Sequence, residues 1–389
     1  MNKNGVIRNL VESEVKRADG NTYTGYANAG DKVEQLLESG KVTTRDFSFR
    51  QLYEELVDVP LGADSAQVAE ALNSSSFPTI ASKVINKDII DEYDLALGNV
   101  GNLVDESQAT RTDEEIVVGF TAGDTTPLMR RQGMAYEETS MGEKNWKVKM
   151  ADFGRMISLT REVIFEDRTG EVLKRARDIG RAGGHHKQKM IIETIEASAR
   201  TAFEESTFGG ANYKGSDITL YANDHASLDG QTNDNLVVSN ALADYTDLDN
   251  VYLAFANMVD EAGDKINVVP KTILIPQALM ATASKIMNSQ FLHDGSGGSN
   301  VPSYNPVHDI GSGSAMDIVS SVFLSSASTW FMGDFNSQLM GLSVYDPATA
   351  SQGADSELAF TNQIVARFRW SYHYGLGHTD WRYIIKSTA

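Results

Sequence analysis

The sequence contains no cysteine, and that one absence excludes disulfides, thiolate zinc sites, iron–sulfur clusters and cysteine nucleophiles together. Long apolar runs are missing too: no window reaches the roughly 18 apolar residues that a membrane span requires. Between Met1 and Gly20 there is no apolar stretch set between a basic start and a small-residue cleavage site, so no secretory leader is read there and a cytoplasm is the expected compartment. Basic charge is scarce. With 34 Lys and Arg against 53 Asp and Glu the formal net charge is −19, a balance that repels phosphate backbones, because non-specific nucleic-acid binding depends on Lys and Arg displacing counterions. Sequence-specific DNA binding is therefore not expected.

A catalytic constellation is also missing. His185 and His186 are adjacent on a predicted helix, about 100° apart, and so cannot easily share one metal. Asp224 and His225, with Asp229, Asn233, Asp234 and Asn235, offer oxygen ligands, but Gly230 does not sit where a calcium loop needs it, and a polar turn is the reading. Gly40-Lys41 lacks the upstream glycine and the following hydroxyl residue of a phosphate-binding loop, and Gly311-Ser312-Gly313-Ser314 lacks the nucleophile-elbow pattern. The run Arg367-Phe368-Arg369-Trp370-Ser371-Tyr372-His373-Tyr374 alternates as one strand with a buried and an exposed face. No catalytic residue, cofactor or metal is expected.

What is present is enough to fold. The chain has 389 residues, 41% apolar and 22% charged, which suits two or three lobes with real cores. Residues 1–75 are polar, with an amphipathic stretch at Phe47, Phe49, Leu52, Tyr53, Leu56 and Val57 that reads as an arm carrying a short helix. Ile85, Ile89, Ile90, Tyr93, Leu95 and Leu97 predict a helix of about three turns that Gly98 ends. The period then changes to two: Trp146, Val148 and Met150 alternate with Lys147 and Lys149, and Ile157 and Leu159 follow. Between Phe120 and Lys144 the chain is too polar to pack on a core of its own and reads as a projecting loop flanked by strands.

From Asp167 to about Thr201 helix formers dominate, predicting a helix of roughly 50 Å, in which Gly180, Gly183 and Gly184 imply a bend or close packing. A second lobe follows. Leu248, Val251, Tyr252, Phe255, Met258 and Val259 form a helical stripe after Asp and Thr caps, with Gly263 as its end. Thr272 to Ile275 reads as a buried strand, Pro276 as the start of a helix, and residues 295–315 as a mobile glycine- and serine-rich loop. Met316 to Leu324, Trp330 to Met332 and Ile364 to Tyr374 read as strands. The class is α+β.

Charge is unevenly partitioned. Met129 to Met150 carries five basic residues (Arg130, Arg131, Lys144, Lys147, Lys149) against three acidic ones, whereas Asp224 to Asp264 carries nine acidic residues and no Lys or Arg. A basic loop without a core and an acidic surface on the same chain can pair head to tail between copies, the kind of contact that closes rings or shells. Arg130, Arg131, Lys144, Trp146, Lys147 and Lys149 are accordingly the candidate intersubunit contacts.

Thr44-Arg45-Asp46-Phe47-Ser48-Phe49-Arg50, then Phe77-Pro78-Thr79-Ile80 leading to Asp91-Glu92-Tyr93, then the run Met150 to Ile164 continuing into Glu166-Asp167, then Asn223 to Leu228 and Val269 to Pro276, occur in an order that resembles the tailed-phage major capsid proteins of the Hong Kong ninety-seven type. That resemblance implies an N-terminal arm (1–75), the start of a peripheral domain (76–118), an extended loop (119–152), a peripheral domain with a long spine helix (153–239), an axial domain (240–365) and a return strand (366–389). It implies a virion shell protein assembled in the host cytoplasm into pentamers and hexamers around packaged double-stranded DNA. Its partners would be further copies of itself, a portal protein and scaffold or decoration proteins. Some relatives lose an N-terminal segment to a protease and some crosslink their subunits. A nanocompartment shell of the same fold, enclosing an enzyme, and a hydrolase or binding enzyme using the second lobe are the alternatives.

Overall fold

The computed structural model describes residues 31–32, 35, 39, 77–121, 142–160, 171–196, 220–223, 225–226, 232–260, 263–289, 291–293, 302–304, 316–352 and 364–389. Almost all of the arm, Gly40-Lys41, residues 122–141 of the polar loop, Asp224, Asp229, Gly230 and Gly311 to Ser314 lie outside them.

In chain order the first elements are helix α1 (Phe77–Leu97), strands β1 (Asp105–Gln108), β2 (Glu114–Thr121), β3 (Gly142–Lys149) and β4 (Ala151–Thr160), and helix α2 (Glu171–Glu196). Next come β5 (His225–Ala226), β6 (Thr232–Asn233), β7 (Leu236–Val237), α3 (Tyr245–Asn257), β8 (Thr272–Pro276), α4 (Met280–Asn288), β9 (Phe291–His293) and β10 (Pro302–Tyr304). The rest are β11 (Asp317–Ser321), β12 (Trp330–Gly333), α5 (Phe335–Gln338), β13 (Leu339–Ser343), β14 (Ala348–Gln352), β15 (Ile364–His378) and β16 (Ile384–Ser387). Strand pairs are mostly antiparallel and the helices do not alternate regularly with parallel strands, so the fold is α+β.

The chain divides into two compact units. The first comprises Met1–Gly98, Asp152–Lys187 and Tyr345–His373. Its helix α1 is 21 residues long, nearly six turns instead of three. The extra turns follow from Ile80, Ala81, Val84 and Ile85, which continue the stripe of Asp88, Ile89, Glu92 and Tyr93 at four-residue spacing and are all buried. Pro78 does not oppose this, because proline is tolerated in a first turn where its missing N–H has no intrahelical partner. Gly98, at φ +52°, ends the helix as expected.

Helix α2 packs against α1. Asp88 meets Arg177 at 3.4 Å and Glu92 meets Arg181 at 3.0 Å. Partner numbers rise together, so the helices run parallel. They approach closely because Gly180 and Gly184 face the backbone carbonyls of Ile89 and Tyr93, where a Cβ would come within 2.2 and 2.5 Å of the oxygens. Gly180 and Gly184 therefore serve close helix packing, and Gly183 leaves room for the Trp370 ring. In the sheet of this unit β15 pairs with β4 and, antiparallel, with β14, where Ala348 lies opposite Ser371 and Gln352 opposite Arg367.

The second unit comprises Asn99–Ala151, Gln188–Val344 and Tyr374–Ala389. One sheet has the order β11-β8-β12-β16-β7, with β16 antiparallel to β12 and parallel to β7. Its core holds Ile273, Leu274, Ile275, Trp330, Phe331, Met332, Ile384 and Ile385, each fully buried, and Leu248, Val251 and Phe255 of α3 are buried too. Asn235, fully buried, accepts from the Ala222 N–H and donates to the carbonyls of Leu220 and Trp381. Elsewhere β13 pairs with β1 in parallel and with residues 375–378 of β15 in antiparallel fashion.

Four local expectations change. Helix α3 ends at Met258, whose extended backbone stops it, and Gly263, at φ +95°, instead shapes the turn after it, where its N–H donates to the Asp260 carbonyl. Pro276 is the last residue of β8 and stands before a short 3-10 turn, one position ahead of the helical residues. Within the predicted mobile loop, Pro302–Tyr304 is a strand paired with Phe291–His293. The alternation of the C-terminal strand holds only as far as Tyr372, after which residues 373 to 378 are all buried. There the strand is covered on both faces, and a Cβ on Gly375 would lie 2.4 Å from the Lys149 carbonyl oxygen.

Candidate functional site

Strands β2 and β3 form an antiparallel ribbon of eight pairs, from Glu114 opposite Lys149 to Thr121 opposite Gly142. At about 3.3 Å per residue the ribbon extends roughly 26 Å. Among the described residues it pairs with no third strand. The period-two pattern of Trp146, Val148 and Met150 that predicted the strand is kept at its base: Val148 and Met150 are buried while Lys149 between them is exposed.

The base is fixed in the second unit by a small apolar cluster of Val148, Met150 and Leu342 with Ala109 and Met340 beside it. The Met150 N–H donates to the Asp113 carbonyl at 2.9 Å. The Glu115 carboxylate accepts from the Thr110 hydroxyl and from the N–H groups of Thr110 and Arg111. Those hydrogen bonds, the hydroxyl first, hold the carboxyl below its usual range.

Of the six candidate contact residues, Lys144, Trp146, Lys147 and Lys149 stand on β3, opposite Gly119, Val117, Ile116 and Glu114. Arg130 and Arg131 lie outside the described residues. The ribbon thus brings four of the six onto one strand.

The histidines discounted in the sequence have structural partners. His186 keeps an exposed position on α2, but its Nδ1 lies 2.8 Å from the Tyr372 hydroxyl and its ring 4.8 Å from that of Phe153. Phe153, Tyr372, Trp370 and Tyr93 continue this aromatic cluster in the first unit. Burial pushes the Tyr372 phenol well above its ordinary value. His225 is buried and stacks on Trp381 at 3.9 Å, with the Arg382 guanidinium 4.5 Å from the Trp381 ring. No sequence signal pointed to these contacts, since the partners are 186 positions apart in one case and 156 in the other. Among the described residues no three His, Asp or Glu side chains are grouped so as to hold a metal ion, and no helix is long and apolar enough to cross a membrane.

A family profile described as "Phage capsid protein" matches residues 144–387. No curated protein matches the chain. Among solved structures, a virus-like particle from Pyrococcus furiosus is similar at 9% identity and TM-score 0.44, over 79% of this chain and 99% of that one. The capsid of the native GTA particle is similar at 10% identity and TM-score 0.48, over 75% and 90%. The capsid of the cyanophage P-SCSP1u is similar at 12% identity and TM-score 0.46, over 74% and 86%.

Proposed function

From the premise that this chain belongs to the phage capsid protein family, and is thereby a structural subunit of a virion shell, we propose that its copies join head to tail through the β2–β3 ribbon into pentamers and hexamers enclosing packaged double-stranded DNA. The observation that supports this reading is the ribbon itself. A two-stranded hairpin is marginally stable in water, and both outer edges of this one, unpaired among the described residues, offer backbone N–H and C=O groups that another chain can satisfy. Its strand β3 carries three lysines against one glutamate in a chain of net charge −19, so an acidic surface on a neighbouring copy attracts that strand.

Contacts of this heterologous kind close into rings when the rotation between copies closes. Each contact is weak, and stability comes from their number per subunit. In this reading residues 119–152 are the extended loop, 153–239 the peripheral domain with α2 as its spine, and 240–365 the axial domain. The acidic surface suits a wall that must not adhere to its contents. Assembly takes place in the host cytoplasm, with a portal protein and scaffold or decoration proteins as further partners.

The test is to reverse Arg130, Arg131, Lys147 and Lys149 to Glu and follow assembly by sedimentation velocity. Folded monomers or capsomers that fail to close are expected. Shells of normal size and yield from that variant refute the role given to the ribbon.

A further inference from the structure

In the second unit His378, 4% exposed, is held by both ring nitrogens. Nε2 lies 2.9 Å from the carbonyl oxygen of Thr194 on α2, and Nδ1 lies 3.3 Å from Nε2 of Gln338 on α5. A carbonyl can only accept, so the ring Nε2 carries the hydrogen. In the neutral imidazole Nδ1 is then the acceptor, and the Gln338 amide nitrogen must face it. The other end of that carboxamide is unsatisfied: Gln338 is fully buried, and among the described residues its Oε1 has no hydrogen-bond partner.

We infer that His378 and Gln338 form a proton-coupled amide switch, in which a proton taken up at Nδ1 turns the Gln338 carboxamide over and presents Oε1 to the new N–H. The rotation exchanges one unpaired end of the amide for the other, and Oε1 then makes a charge-assisted hydrogen bond that the neutral state lacks. Only the side chain needs to move, because the Gln338 carbonyl is already anchored by the N–H of Thr379 at 2.8 Å and by its hydroxyl.

The charged groups on the elements packed against His378 are engaged elsewhere. On α2, Glu193 pairs with Lys189, and Glu196 accepts from the Ser325 N–H and hydroxyl. Beside α5, Asp334 binds Lys271 and Ser337. Strand β13, which places Leu339 opposite His378, carries no ionisable residue. Beyond His378 itself, Asp380 pairs with Arg382. Gln338 is thus the side chain placed to answer the proton. Burial holds the imidazole below its ordinary value, to about 4, with the Thr194 carbonyl opposing that shift, so the switch works in acid and leaves the contact to Thr194 intact at neutral pH.

The experiment uses the full chain with 15N-labelled histidine and glutamine side chains, titrated downward from pH 7 while circular dichroism stays native. The Gln338 side-chain amide signals are expected to move with the same midpoint as the His378 ring. A hydrogen bond to a charged group converts to about one pH unit, so Gln338→Met lowers the His378 midpoint by roughly that amount and Gln338→Glu raises it. The inference is overturned by a Gln338 amide that stays still as His378 titrates, by a midpoint unchanged in Gln338→Met, or by a His378 that protonates only as the chain unfolds. The wild-type signals decide the matter even when neither variant folds.

Discussion

Gly180→Ala sets two effects of opposite sign against each other. In an exposed helix interior this change stabilises by about 1 kcal/mol, since alanine loses less backbone entropy than glycine. At Gly180 the new Cβ would lie 2.2 Å from the Ile89 carbonyl oxygen and 3.0 Å from its carbon and Cα. A carbon and a carbonyl oxygen approach no closer than about 3.3 Å, so α1 and α2 must separate by roughly 1 Å. That opens an interface which also carries the Asp88–Arg177 and Glu92–Arg181 pairs. Overpacking of this kind costs about 1–3 kcal/mol, and the upper end applies because the obstacle is backbone and cannot rotate away. The expected net effect is about 2 kcal/mol of destabilisation, read as a lower urea midpoint with unchanged slope on the unassembled protein. An unchanged or higher midpoint would mean that the helices are not in contact at this position, and the parallel packing of the first unit would have to be abandoned.

Two further changes probe the second unit. Asp244 accepts from the Thr246 N–H while Asp247 reaches back to the Asp244 N–H, a capping box on α3, so Asp244→Ala should cost about 1 kcal/mol in thermal or urea unfolding. His378 contributes a pH dependence whose sign follows from its lowered value. The unfolded chain takes up the proton near pH 6.5 and the folded one only near 4, so the stability it contributes is complete above 6.5 and is lost as pH falls towards 4. Between pH 7 and pH 5 the loss is about 2 kcal/mol. Urea midpoints at the two values check this, with a His378→Gln variant expected to show a shallower dependence.

Local periodicity made much of the fold legible. Trp146, Val148 and Met150 announced β3 because alternate burial is a property of the strand itself, and the Asp and Thr residues ahead of Leu248 announced the start of α3, where Asp244 proves to be the cap, because a cap acts within one turn. What failed depended on distant partners. Gly263 has the composition of a helix terminator, but α3 stops five residues earlier, where Met258 turns extended and Val259 donates its N–H to Asn233. The last stretch of β15 lost its alternation because a second layer covers its outer face, a fact that Gly375 hints at and the alternating pattern cannot express. In the candidate site, the lysines of β3 were visible as charge against an acidic background, whereas the pairing of each with a named residue of β2 required the register. Nothing in the sequence linked His378 to Gln338 or Thr194, since only the folded chain brings those positions together.

As a phage capsid protein, this chain should build a closed shell from copies of itself. Negative-stain electron microscopy of the purified protein, with its scaffold partner added where the chain alone stays dispersed, tests it most directly. Uniform closed particles, or rings of five and six subunits, are the predicted result. A discrete monomer or dimer that persists at high concentration under both conditions would mean that the chain does not form a shell by itself or with its scaffold.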